Sequence, residues 1–125
     1  MDFQTAVRTV LQQKYADFNG RAPRSEYWWW VLGYAIAYIA AAIIGSILGR
    51  IGMFLPLLVV LAVIIPTIAV GIRRLHDIDK SGWWLLLGLV PFVGGLILIY
   101  FFVQKGTTGP NQFGEDPLPP AIAAT

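Results

Sequence analysis

The chain has 125 residues, enough for one domain, and 57% of them are apolar while 13% are charged. Soluble chains carry about 25% charged residues, so this composition excludes an ordinary water-covered domain and points to a surface facing lipid. There is no cysteine, which excludes disulfides and thiol chemistry, and the net charge of +2 gives no argument for nucleic acid.

The first element predicted is an amphipathic helix over residues 1–18. Phe3, Val7, Val10, Leu11 and Phe18 share one side of a helical wheel, and Gln4, Arg8, Thr9 and Gln12 share the other. Lys14 interrupts the apolar stripe, but its stem can lie along it with the ammonium in water. The expectation is a helix lying in the membrane interface. The competing reading is a soluble helix packed on the loops. The first fifteen residues lack the unbroken apolar core of a cleavable signal, so the first membrane helix is expected to direct insertion.

Three uncharged runs follow, at residues 27–49, 51–72 and 81–104. At 1.5 Å per residue each gives a helix of roughly 33 to 36 Å, against a hydrocarbon core of about 30 Å. The predicted fold is therefore an all-α membrane protein with three transmembrane helices, spans at about 27–48, 52–72 and 83–103, within a membrane domain of residues 19–117. Gly49-Arg50-Ile51-Gly52 must turn the chain between the first two spans, with Gly49 in the left-handed position after a helix end. Residues 118–125 are expected to be a disordered tail.

The basic residues assign an orientation. Arg8, Lys14, Arg21, Arg24, Arg73, Arg74 and Lys80 fall on one side of a three-span protein, and Arg50 and Lys105 on the other. The positive-inside rule then puts the N-terminus in the cytoplasm and the C-terminus outside. All five tryptophans, Trp28, Trp29, Trp30, Trp83 and Trp84, come to the cytoplasmic interface, with Tyr100, Phe101 and Phe102 as a weaker outer belt.

Two polar stretches carry the candidate chemistry. Arg21, Arg24 and Glu26 stand at the mouth of the first span, and Arg73, Arg74, His76, Asp77 and Lys80 form the turn after the second. The arginines suit an anionic lipid headgroup, or serve only as topology markers. A carboxylate at the edge of lipid is expensive unless paired, so Glu26 is expected to pair with Arg73 or Arg74. An Arg73–Asp77 pair is expected at helical spacing. His76, Asp77 and Asp79 put an imidazole and two carboxylates close together, but their spacing fits no zinc pattern, and neither metal nor cofactor is predicted. Within the first span Gly33, Ala37, Ala41 and Gly45 form a stripe that permits close helix packing. Pro56, Pro66 and Pro91 are read as kinks.

The stretches GRAPRSEYWWW, RRLHDIDKSGWWLLL and GTTGPNQFGEDP together resemble the YhaH/YhaI-like family of small bacterial inner-membrane proteins, a domain of unknown function numbered eight-zero-five. The likeness runs from about Tyr15 to Pro117. The family often has glycine where this chain has Asp79. The resemblance implies a bacterial inner membrane and no particular activity. The expected role is a non-enzymatic structural or regulatory module whose cytoplasmic Arg/Trp face meets anionic lipid, a membrane-protein partner or further copies of the chain. The alternative is a small-solute channel or transporter built as an oligomer. An enzyme centred on His76 and Asp77 ranks third.

Overall fold

The computed structural model describes residues 2–117, and the expected disordered tail at 118–125 lies outside them. All regular structure among these residues is helical. The elements are α1 (Phe3–Arg8), α2 (Arg24–Leu48), α3 (Leu55–Asp77) and α4 (Val93–Val103), with a π-helical turn at Thr9–Gln13 and 3-10 segments at Ile51–Phe54 and Gly82–Leu89.

Asp2 starts α1 by accepting the Thr5 N–H at 2.7 Å, which also holds its carboxyl below the usual range. The helix lies against α2, with Phe3 and Val7 over Gly33, and Ala6, Thr9 and Val10 are buried. Thr9 thus sits inward, contrary to the wheel, because its hydroxyl is satisfied by the Thr5 carbonyl at 2.8 Å. Phe3 and Leu11 line an apolar cavity of about 220 Å³ with Trp30, Ala37, Val59 and Val63.

Two helices are long and apolar enough to cross a membrane, the segments Arg24–Leu48 and Ile51–Asp77. They form the expected antiparallel pair. Gly49 has φ +79° at the turn, a conformation open to glycine. Beside it, Gly45 and Gly52 meet backbone to backbone, and a Cβ on either would strike the other's carbonyl. The small-residue stripe is used within the chain: Gly33 admits α1, Ala41 is buried and Gly45 admits the turn.

The third span departs from expectation. Residues 81–104 do not form one helix. The 3-10 segment Gly82–Leu89 runs out, the chain reverses at Pro91-Phe92, and α4 runs back. Trp84 packs edge-on against Phe101 with centroids 5.8 Å apart, and Gly94 meets the Leu87 carbonyl so closely that a Cβ has no room. The cause is local. Gly88, Pro91, Gly94 and Gly95 weaken a continuous helix, and Phe92 takes φ +61°, which closes the reversal.

The hairpin brings both ends of the third run to one end of the molecule. Trp28 donates its indole N–H to the Phe102 carbonyl at 3.1 Å, and Tyr27 and Phe102 lie 4.4 Å apart. Tyr100, Phe101 and Phe102 therefore do not make a belt opposite the tryptophans. Residues 104–117 likewise lie at the Arg21 end of the helix pair, because Arg21 is hydrogen-bonded to the Thr107 and Gly109 carbonyls. That segment therefore lies at the same end of the helix pair as Arg21, where a continuous third helix would have put it at the opposite end.

The candidate functional site

The α2 and α3 ends that meet here carry opposite dipole ends and most of the chain's buried charge. Pro23 precedes α2 with extended backbone, and α3 ends at Asp77. The last carbonyls of α3 point into protein and need donors. Arg73 O accepts from Ala22 N–H at 2.9 Å, Asp77 O from Thr107 N–H at 2.7 Å, and His76 O from Asn111 Nδ2 at 2.9 Å. The loop before α2 and the segment after α4 thus cap the helix.

Arg21, Glu26, Arg73, Arg74, His76 and Asp77 are all buried, and Arg73 and Arg74 are 0% exposed. Arg73 pairs with Glu26 through Nη1 and donates from Nε to the Asp17 carbonyl at 3.0 Å. Of the two partners expected for Glu26, the structure has Arg73. Asp77 accepts from Arg21 Nε at 3.0 Å and from Arg74 Nη1 at 2.8 Å. The expected Arg73–Asp77 pair does not form; Arg74, one residue on, faces Asp77, and Arg73 turns to Glu26. Arg74 also donates to the Phe102 carbonyl at 3.1 Å and to the Gln104 carbonyl. Three guanidiniums thus surround two carboxylates, and Arg73 Nη2 has no hydrogen-bond partner among the described residues.

His76 is equally committed. Its Nδ1–H donates to the Gly20 carbonyl at 2.9 Å, and its ring stacks on Phe113 with centroids 4.0 Å apart. Asp79 stands apart at the surface, receiving Gln112 N–H at 3.3 Å. No group of three or more His, Cys, Asp or Glu side chains among the described residues is arranged to hold a metal ion.

Arg24 and Lys80 do not join the buried network. Arg24 is exposed and donates to the Val103 carbonyl at 3.2 Å, beside Trp28. The Lys80 ammonium sits 5.5 Å from the Trp84 ring and 5.1 Å from Phe101. The eight residues expected to form one face divide into a locked interior of six and these two cations at the rim. The part the 104–116 segment plays was missed. The Pro-Asn-Gln-Phe-Gly stretch reads as turn chemistry, and nothing local to it signals that Asn111 and Phe113 pack on His76.

The sequence profile described as "Protein of unknown function (DUF805)" matches residues 15–115. The chain is 47% identical over 105 residues to the "Inner membrane protein YhaI" of Escherichia coli (strain K12), covering 84% of this chain and 89% of that protein. It is 44% identical over 109 residues to the "Inner membrane protein YhaH" of the same strain, covering 84% and 90%. It is 30% identical over 133 residues to the "Uncharacterized protein YiiR", covering 86% and 90%. No solved structure matches.

Proposed function

The chain belongs to the DUF805 family and is an integral membrane protein of the bacterial inner membrane, and we propose that it is a non-enzymatic structural or regulatory module. In this reading α2 and α3 cross the bilayer with Arg21 and Asp77 at the cytoplasmic face. Positive-inside counting favours that orientation more strongly once Lys105 joins the cytoplasmic set and Arg50 alone remains outside. Residues 1–18 then rest at the cytoplasmic interface, with Arg8 in water and the exposed edges of Phe3 and Leu11 toward acyl chains.

The observation carrying the functional reading is the commitment of the titratable groups. Glu26 and Asp77 are ion-paired in the interior and His76 is held by the Gly20 carbonyl and Phe113, so each of the three holds the fold together. Arg24 and Lys80 stand outside the buried network, each beside tryptophan at the rim. That pairing of guanidinium or ammonium with indole suits an anionic phospholipid headgroup. The test is native mass spectrometry of the protein released from vesicles of mixed phosphatidylglycerol and phosphatidylcholine. Wild type should retain the anionic lipid preferentially, and Arg24→Gln with Lys80→Gln should lose several-fold of that preference. Equal retention of both lipids by wild type removes the headgroup role. A ring of several copies together with solute flux in the same vesicles favours the pore reading.

A further inference from the structure

We infer that the third apolar run is a re-entrant hairpin seated in the acyl chains of a single leaflet, the one beside the Arg21–Asp77 cluster. This rests on the proposal above for which leaflet is cytoplasmic, but not for the hairpin itself.

Arm length is the first argument. Eight residues of 3-10 helix at Gly82–Leu89 rise about 16 Å, and eleven residues of α4 rise about 16 Å. Half of a hydrocarbon core of about 30 Å is about 15 Å. Each arm therefore reaches the midplane and neither can cross. By the same measure α2 is about 37 Å long and crosses with length to spare.

Chemistry along the arms is the second. The base carries Lys80, Trp84 and Phe101 in contact, the combination found at headgroup depth. The tip carries Leu89, 80% exposed, and Phe92, 89% exposed, with no charge nearby. Such a tip in water would be a severe apolar exposure; at the midplane it is solvated by acyl chains. The exposed face continues along α4 through Leu96, Ile99 and Tyr100.

Backbone satisfaction is the third. Irregular backbone is costly in lipid because its polar groups find no water. Pro91 has no N–H, Val90 N–H bonds the Leu87 carbonyl at 3.0 Å, and Gly94 N–H bonds the Val90 carbonyl at 3.2 Å. The reversal therefore carries few free donors to the midplane. Of the described residues, one leaflet then holds α1, the hairpin and parts of both crossing helices, while the other holds the rest of α2 and α3 with the Gly49 turn and the 3-10 segment Ile51–Phe54.

Absence of cysteine in the native chain makes the test direct. Arg8→Cys, Arg50→Cys, Phe92→Cys and Thr108→Cys are made singly at exposed positions and treated with a membrane-impermeant maleimide in right-side-out and inverted inner-membrane vesicles. The hairpin requires that Arg8→Cys and Thr108→Cys label from one side, Arg50→Cys from the other, and Phe92→Cys from neither until detergent is added. A bimane at position 92 should be quenched more by lipids brominated near the acyl ends than near the headgroup. Labelling of Thr108→Cys from the Arg50 side, or of Phe92→Cys from either aqueous side, overturns the hairpin. Labelling of Arg8→Cys and Thr108→Cys together from the outer side keeps the hairpin and overturns the cytoplasmic orientation instead.

Discussion

Residues 51–72 and residues 81–104 are both uncharged, rich in Leu, Ile and Val, and interrupted by proline, yet the first runs on in one direction, as a 3-10 turn and then α3, while the second is folded double. Prolines in α3 sit where the helix tolerates them. Pro56 lies in the first turn, where its missing N–H would have had no partner. Pro66 is interior but buried, in a stretch held by Trp30 Nε1–H donating to Thr67 Oγ1 at 3.2 Å and by the buried Ala69 and Val70. Pro91 has no such support. Three glycines stand within four residues of it, each costing a helix about 1 kcal/mol relative to alanine, on top of about 3 kcal/mol for an interior proline. Hydropathy alone reads the two runs as equals. What separates them is where proline falls and whether glycine surrounds it.

The largest effect is expected at the two adjacent glycines of the returning arm. Gly94→Ala places a Cβ against the Leu87 carbonyl, which belongs to backbone and cannot swing aside. It should cost about 3 kcal/mol in detergent melting, at the upper end for overpacking. Gly95→Ala meets nothing within 4 Å and should be neutral or slightly stabilising through helix propensity. Equal effects of the two changes would mean the arms do not pack as described.

The next largest effect tests what fixes the α3 end, from which the hairpin springs. Glu26→Gln leaves the Arg73 guanidinium buried without its carboxylate, a loss of about 3 kcal/mol. Arg73→Gln should be similarly costly, and the double change should cost clearly less than the sum, because the second substitution removes a charge already unpaired. Arg74→Gln with Glu26→Gln should come closer to additivity, since Arg74 bonds Asp77 instead. Thermal melts of the four variants and the wild type measure both couplings.

A smaller effect is expected at Pro66. Replacing it with alanine restores an N–H to the middle of α3 while removing part of a buried ring. These oppose one another, and the net change should stay within about 1 kcal/mol, with labelling at an introduced Arg50→Cys unchanged. A shift of that label to the other side would show that Pro66, not the surrounding packing, sets the course of α3.

Much of this was legible in advance, for reasons that differ by region. The α2–α3 pair follows from run length and from Gly49, since a continuous helix would be far longer than a bilayer. That Glu26 needs a guanidinium follows from the cost of a carboxylate beside lipid, and two arginines were within reach. Which one it takes depends on helix phase: Arg73 and Arg74 point about 100° apart, so only one can face α2 while the other faces Asp77. The hairpin's signal, Gly88 and Gly94-Gly95 around Pro91, lies in the sequence but is indistinguishable by composition from a kinked span. The capping of α3 by Thr107 and Asn111 is a long-range pairing, and no local pattern announces it.

The smallest expected effect lies at the entrance to the third run. Asp79 has φ +63°, one of two non-glycine residues in the left-handed region among those described, the other being Phe92 at the hairpin tip. Glycine adopts this backbone without the penalty a Cβ brings. Aspartate tolerates the conformation better than most side chains, so relief is worth less than the usual 1 to 2 kcal/mol or so. Against that relief stands the loss of the carboxylate that receives Gln112 N–H at 3.3 Å, a long bond at an exposed site and weak for that reason. The Gln112 side chain would keep its contact with the residue's own carbonyl at 3.4 Å, which glycine retains. Asp79→Gly should therefore change stability by no more than about 0.5 kcal/mol, in the stabilising direction, and leave a Thr108→Cys label on its original side. A loss of 2 kcal/mol, or a freed Thr108, would instead make Asp79 an anchor of the 104–116 segment, and the hairpin would then owe its return to that anchor as well as to Pro91 and its glycines.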